Sequence, residues 1–219
     1  MGKLFINDTV IDNNDNEWIE KNKGYLAYID NHISNIDEAY GILFKKPFTE
    51  LDAQELEIPL EQLKSARNRM KNDLDNHDIS KYSDEEFEGY RAKYFMTTEE
   101  QNNYDNDLGC REAVDKLYEE AWKHHYLYND HHPEHWKWVD KEENGRYKIR
   151  ETPRSEALEM PLYAILHMLV DWQAMSIKFN NTVYEWYNSD KSLDERTCMN
   201  PDTKKIVDKF VEWIKNHKQ

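Results

Sequence analysis

The sequence predicts an all-α protein, a bundle of about five or six helices. Only 6 Gly and 6 Pro interrupt its 219 residues, so turns are few. Between them the apolar residues recur at steps of three and four, which is the helical period. Aromatic residues make up 13% of the chain and can fill a core, although 33% of the residues are charged. We therefore expect a folded helical protein with a heavily charged surface.

A polar segment precedes the predicted helices. Residues 1–16 are rich in Asn and Asp after an apolar patch at Leu4-Phe5-Ile6, so we expect a flexible arm or a short strand. Residues 17–219 contain no internal repeat and no low-complexity linker. We therefore expect them to form a single helical domain.

The apolar period and the capping signals predict where the helices begin and end. Ser83 and Glu86 fit a capping box, with Ser83 as the N-cap of the third helix. Residues 96–109 are polar and are expected to be irregular. A long irregular connection is expected near 129–154, where residues 137–150 suit a small hairpin. The predicted helices cover residues 18–44, 59–76, about 84–94, 110–128, 155–188 and 201–216.

Charge and cysteine content restrict the partners and the compartment. The net charge of -15 disfavours broad nucleic-acid binding, which depends on Lys and Arg. The longest apolar run, 160–170, is too short to span a bilayer, and no signal peptide opens the chain. Cys110 and Cys198 form no CxxC pair, so a thiolate zinc site is not expected. We expect a cytoplasmic protein with reduced thiols, although one disulfide stays open.

Residues that suit a metal site recur along the predicted helices. The run His77-Asp78-Ile79-Ser80-Lys81 places two metal-binding groups on adjacent residues. Asp171 lies in an apolar run, where an ionised carboxylate is costly unless a cation pairs with it. Imidazoles and carboxylates together suit one or two divalent ions such as Mn, Fe, Zn, Co or Mg. Further candidates are His32, His124, His125, the run His131-His132-Pro133-Glu134-His135, and His167.

Several candidates also have an ordinary structural interpretation. His32 suits a half-buried position on the first helix, and His77-Asp78 suits a turn. Because adjacent helical residues point about 100° apart, only one of His124 and His125 is expected to face a site, and we favour His125. His167 is interpreted as a satisfied core histidine.

The tryptophans near these residues divide into two groups. Trp122 and Trp172 are interpreted as core residues. Trp136 and Trp138 lie in the long connection and are candidates for stacking on a base, and Trp136 is the candidate substrate-binding residue.

The order of His32, His77-Asp78 and Asp171 resembles the HD superfamily of metal-dependent phosphohydrolases. The run 77–81 looks like the HD-x-x-K form of its motif, found in the HD-GYP branch of cyclic-di-GMP phosphodiesterases. That branch has a His-His-Glu element after the motif, whereas here a proline interrupts His131-His132-Pro133-Glu134. The Gly-Tyr-Pro signature of the branch is absent, so the chain is not assigned to it.

This resemblance implies an HD-like helical bundle, a set of ligands and an activity. It implies that His32, His77, Asp78 and Asp171 bind one metal ion. Asp78 would also bridge to a second ion, held by His125 and by His131, His132 or both. Lys81 would face the substrate phosphate, so that Asp78 and Lys81 are the candidate catalytic residues.

The chain also resembles an uncharacterised family of bacterial and phage proteins. The resemblance covers roughly residues 25–185 and gives no activity. It rests on the HDxSK run, a Trp-x-x-His segment at Trp122, an Asn-x-His-His-Pro-Glu-His segment at Asn129 and a Met-x-x-Asp-Trp segment at Met168.

Together these features predict a metal-dependent phosphohydrolase that acts on a small nucleotide or another phosphate ester. The alternative is a non-catalytic helical protein that binds a metal or a nucleotide for sensing or sequestration. A phage accessory protein of that kind would act in the host cytoplasm. A third interpretation is a structural or partner-binding protein, in which the histidines are scattered in space. A homodimer is left open.

Overall fold

The computed structural model describes residues 4–6, 9–11, 16–189 and 199–217, and most of these residues are helical. The predicted all-α class is confirmed. The helices are α1 (Asn16–Leu43), α2 (Glu50–Leu56), α3 (Leu60–Leu74), α4 (Phe87–Tyr94), α5 (Thr98–Asn106), α6 (Leu108–Tyr128), α7 (Leu162–Ile177), α8 (Val183–Ser189) and α9 (Pro201–His217).

Short strands and two 3-10 turns complete the described structure. Near the N-terminus, β1 (Leu4–Ile6) pairs antiparallel with β2 (Thr9–Ile11). The long connection after α6 contains β3 (Val139–Lys141) and β4 (Tyr147–Ile149), which form the predicted antiparallel hairpin. The 3-10 turns lie at Ile79–Tyr82 and Pro133–Lys137.

The predicted helix over 155–188 is divided in two. α7 ends at Ile177, and α8 begins at Val183. Between them Asn180 adopts a left-handed conformation, with φ of 51°. The backbone N–H of Asn181 then donates to the carbonyl of Ser176, which closes the end of the helix. The Asn-Asn pair at this point is therefore a stop signal that the apolar period did not reveal.

The prediction that residues 96–109 are irregular is wrong, because helix α5 occupies most of them. A capping box starts this helix: the Thr97 side chain accepts from the backbone of Glu100, and the Glu100 carboxylate accepts from the backbone of Thr97. Glu100 also accepts two hydrogen bonds from Arg91, at 2.8 Å each. These bonds lower the pKa of Glu100 to about 2. Hydrogen bonds between side chains therefore stabilise α5, which consists mostly of polar residues.

The predicted capping box at Ser83 is also wrong. α4 begins at Phe87, and its N-cap is Glu86, which makes no side-chain capping bond. The Glu86 carboxylate instead binds two histidines, described below. A working capping box lies at Thr49 and Asp52, where it starts the unpredicted helix α2.

The chain forms two compact units. Unit 1 combines residues 1–31 with 78–128, and unit 2 combines 32–77 with 129–219. The prediction of one domain over 17–219 stays a prediction, because a compact unit is defined by packing and a domain by independent folding.

Each unit has its own apolar core. In unit 1, Tyr25 and Ile29 of α1 pack with Phe87, Tyr90 and Ala121. In unit 2, α7 is the central element, since 13 of its 16 residues are buried, and α3 packs beside it. The buried charged and polar residues of unit 2 therefore lie in a mainly apolar surrounding.

Two expectations concern the membrane and the cysteines. None of the described helices has the length and apolar character needed to cross a membrane. Cys110 is half-buried, whereas Cys198 lies outside the described residues. The structure therefore does not test a disulfide between Cys110 and Cys198.

We predict that Gly89→Ala lowers the free energy of unfolding by about 1–3 kcal/mol, the usual cost of overpacking. A Cβ at Gly89 would lie 2.5 Å from the Cβ of Ala121 and 2.8 Å from the carbonyl oxygen of Leu117. Urea denaturation followed by circular dichroism measures the change. Gly41→Ala is the matched control, because its Cβ would meet nothing within 4 Å. It should raise stability by roughly 0.5–1 kcal/mol. Equal effects of the two substitutions would contradict the close approach at Gly89.

Candidate metal centre

Three predicted metal ligands meet inside unit 2. His32 comes from α1, His77 follows α3, and Asp171 lies on α7. The Nε2 atoms of His32 and His77 are 3.0 Å apart. The Oδ1 atom of Asp171 lies 3.2 Å from His32 Nε2 and 3.7 Å from His77 Nε2. The three side chains therefore present two nitrogens and one oxygen to a common point.

These separations fit the ligand set of a divalent ion. Atoms bound to one tetrahedral ion at about 2.0–2.1 Å lie about 3.3 Å from one another. The distances of 3.0, 3.2 and 3.7 Å fall on both sides of that value. Imidazole nitrogen and carboxylate oxygen are ligands that transition ions accept. This buried His/Asp group could therefore hold a metal ion.

Three further histidines enlarge the group. His77 Nδ1 lies 2.9 Å from His167 Nε2. The ring of His131 lies 4.7 Å from the ring of His77 and 4.3 Å from that of His167. His132 joins through His131 and Asp171, with ligand atoms within 4.8 Å of one another. We call the six residues His32, His77, His131, His132, His167 and Asp171 the histidine–aspartate cluster.

The local structure explains why these side chains point inward. His32 lies on the buried stripe of α1, three residues after Ile29 and four before Ile36. His167 and Asp171 are four residues apart on α7 and so share one face of a helix that is buried nearly all round.

Charge balance is the main electrostatic requirement of the cluster. Asp171 is only 8% exposed, and a buried carboxylate is costly without a positive partner. A neutral histidine carries one N–H, but both ring nitrogens of His77 lie within 3.0 Å of another imidazole nitrogen. The tautomer of His77 decides which of these two contacts it donates to and which it accepts from. Either an imidazolium proton or a metal ion can balance Asp171 in this arrangement.

A second group of predicted site residues lies in unit 1. Lys81 Nζ donates to Asp78 Oδ2 at 2.6 Å, and both side chains are buried. His125 Nε2 lies 3.4 Å from Asp78 Oδ1. Asp78 adopts a left-handed conformation with φ of 55°, which Asp tolerates better than most residues. The Asp78 carboxylate is thus held between a lysine and a histidine.

Glu86 orients the histidine of this second group. Its carboxylate is fully buried and lies 2.7 Å from His124 Nδ1 and 2.8 Å from His125 Nδ1. A carboxylate on one ring nitrogen fixes the tautomer of an imidazole and directs its other nitrogen. Here that other nitrogen of His125 is the one that faces Asp78.

Two tyrosines accompany Glu86 in the unit 1 interior. Burial, reinforced by the carboxylate of Glu86, raises the pKa of Tyr25 and of Tyr90 well above the usual range. Both phenols therefore stay protonated at neutral pH.

The structure brings most of the predicted residues together, in two groups. His32, His77, His131, His132 and Asp171 meet in unit 2. Asp78, Lys81 and His125 meet in unit 1. The joint action of His77 and Asp78 at one site, implied by their adjacency in the chain, stays a prediction.

Sequence reasoning missed two residues. His167 was interpreted as a core histidine, although its position one turn before Asp171 was a usable signal. Glu86 was interpreted as a capping residue. It lies 38 residues before His124, and no local pattern connects such distant positions.

Trp136 is placed in the core of unit 2. Its side chain is 0% exposed, its indole N–H donates to the carbonyl of Asp130, and its ring packs edge-on against Tyr147. The predicted stacking of Trp136 on a base therefore finds no accessible ring face. The core interpretation of Trp172 agrees with its burial.

Comparison with known proteins gives a family and no activity. No curated protein and no solved structure matches the chain. The sequence model of a family of unknown function, DUF5662, matches residues 21–213. The matched range includes all the residues of both groups. The matched family is not the HD superfamily, so the resemblance to that superfamily stays a prediction. The chain belongs to the family of unknown function DUF5662.

Proposed function

We propose that this protein is a metal-dependent phosphohydrolase that acts on a small nucleotide or another phosphate ester. The observation that carries the proposal is the meeting of His32 Nε2, His77 Nε2 and Asp171 Oδ1 at separations of 3.0–3.7 Å. The order of these residues along the chain, with Asp78 directly after His77, is similar to that of the HD superfamily. Geometry and chain order thus agree on His32, His77 and Asp171. Asp78, the fourth ligand that the resemblance implies, lies with Lys81 and His125 in unit 1.

The residues of the cluster have distinct tasks in this proposal. His32, His77 and Asp171 hold one divalent ion. A divalent ion held there would make a water molecule more acidic and would orient a phosphoryl group for in-line attack. His131, His132 and His167 supply imidazole ligands for a second ion. The ligand types suit Mn, Fe, Zn or Co.

Asp78 and Lys81 are the proposed catalytic residues. The Lys81 ammonium group is buried against Asp78, where a positive charge interacts more strongly than it would in water. Lys81 would stabilise the charge that develops on a phosphoryl group. His125, oriented by Glu86, holds the other oxygen of the Asp78 carboxylate.

A second candidate function follows from the burial of the cluster. His32 and His77 are each 4% exposed, and Asp171 is 8% exposed. A metal ion can reach such a site more readily than a phosphate ester. Of the two non-catalytic roles, this burial favours sensing or sequestering a metal ion over binding a nucleotide. For the nucleotide-binding role, recovery of the bound nucleotide unchanged would support it over hydrolysis.

We predict that His77→Ala and Asp171→Asn remove the bound metal and the phosphohydrolase activity. Each substitution removes a proposed ligand, which should weaken binding by more than the roughly 10–100-fold lost with an outer partner. Metal content is measured by mass spectrometry after loading with Mn or Fe. Activity is measured on a panel of nucleotides and phosphate esters.

Asp202→Asn is the control for these variants, since Asp202 is exposed and pairs with Lys205. It should keep both metal and activity. The proposal would be refuted if wild-type protein holds no metal after loading and hydrolyses nothing on the panel. Metal without hydrolysis would favour the second candidate.

We also predict that His125→Ala lowers kcat by about 10–100-fold, the range typical for loss of a residue that orients a functional group. His124→Ala should keep kcat within about tenfold. Both histidines contact Glu86, but only His125 contacts Asp78 in the described structure. Steady-state kinetics on the best substrate of the panel distinguishes them. Equal losses would assign the effect to Glu86 and the fold of unit 1.

A further inference from the structure

A pocket of ≈ 660 Å³ lies in unit 2, away from the histidine–aspartate cluster. Its walls come from the C-terminal ends of α1, α7 and α9 and from the start of α8. The volume is within the range of small-molecule sites in proteins.

Helix geometry separates the pocket from the cluster. On α1, Gly41 of the pocket follows His32 by nine residues, which places it about 180° round the helix and about 13.5 Å further along. On α7, Gln173 of the pocket follows Asp171 by two residues, or about 200°. The pocket and the cluster therefore use opposite faces of the same two helices.

The charged side chains of the pocket are lysines. The lining includes Lys45, Lys46 and Lys215, together with His217, and no described lining residue is Asp or Glu. Acidic residues make up 44 of the 219 in this chain, so a lining of 13 residues without one is a marked departure from the composition. The pocket is thus a local site for an anion on an acidic protein.

Two of the three lysines are available to a ligand. Lys215 has Glu212 at 3.4 Å, so its charge is partly balanced, and His217 lies 2.8 Å from Glu55. Lys45 and Lys46 are exposed, and among the described residues no carboxylate forms an ion pair with either ammonium group. These two lysines are the proposed phosphate contacts.

The rest of the lining suits an organic body. Ile42, Ile177 and Ile214 supply apolar surface, and the Tyr184 ring lies beside them with Lys215 Nζ at 4.7 Å from its centre. An inorganic phosphate would fill only a small part of ≈ 660 Å³. The surface therefore fits a ligand that has both a phosphate group and an aromatic or apolar part.

Gly41 provides an independent observation. It lies within helix α1, where a glycine lowers helix stability compared with alanine. A Cβ at this position would meet nothing within 4 Å, so packing among the described residues does not require glycine. The missing side chain instead leaves space in the pocket that Gly41 lines.

We propose that this pocket binds a phosphorylated small molecule with an aromatic or apolar body. Lys45 and Lys46 contact the phosphate, and Tyr184 and the isoleucines contact the body. This site is separate from the proposed metal centre and does not depend on the proposed hydrolysis.

Isothermal titration calorimetry in EDTA tests the proposal with three probes: ATP, pyrophosphate and adenosine. ATP should bind at least about tenfold more tightly than either of the others, a difference of about 1.4 kcal/mol. The double variant Lys45→Gln/Lys46→Gln should weaken ATP binding by at least tenfold. Lys64→Gln/Lys71→Gln, on the exposed side of α3, changes the net charge equally and should leave the affinity unchanged.

Gly41→Leu fills the pocket and should also weaken ATP binding at least tenfold. Its melting temperature should be retained or raised, which separates occlusion from unfolding. Absence of ATP binding by the wild type, or ATP binding that the pocket variants do not change, would overturn the proposal.

Discussion

The buried carboxylate of Asp171 is the constraint on which the centre of unit 2 depends. It lies on α7, whose other residues are nearly all apolar and buried. Breaking a buried charge pair by removing one partner typically costs about 3–5 kcal/mol, so an ionised Asp171 needs a positive partner in the folded state. His32 and His77 are at the distance to provide one.

Unit 1 also contains buried carboxylates, those of Glu86 and Asp78, and each lies against basic side chains. Glu86 is fully buried and is held by two imidazoles, while Asp78 is held by Lys81 and His125. The chain links the two systems, because His77 and Asp78 are consecutive residues. A protein that needed only stability would more often bury apolar residues of similar volume at such positions. The retention of so many buried ionisable groups favours a chemical role.

Much of the fold could be read from the sequence, because apolar period and helix propensity are local properties. The long helix α1 and the terminal helix α9 follow directly from their apolar stripes. The sequence did not reveal the places where local hydrogen bonds, rather than apolar composition, decide where a helix forms or ends. α5 forms from polar residues because Thr97, Glu100 and Arg91 bind one another, and α7 stops where Asn180 adopts a left-handed conformation.

The residues of the candidate site could be predicted where their neighbours in the sequence indicated a metal ligand. Asp171 was recognisable from its apolar surrounding, and His77-Asp78 from their adjacency. Glu86 and the pocket at Lys45 and Lys46 depend on contacts between residues far apart in the chain, which a single sequence does not display. Trp136 shows the opposite error, since a residue in an irregular connection is fully buried.

Anomalous X-ray diffraction from crystals of metal-loaded protein, collected at the absorption edge of the metal, tests the central claim most directly. The account predicts an anomalous peak at about 2.0–2.2 Å from His32 Nε2, His77 Nε2 and Asp171 Oδ1. An absence of any peak in the histidine–aspartate cluster after loading would contradict it. Protons, rather than a metal ion, would then balance the charge of Asp171.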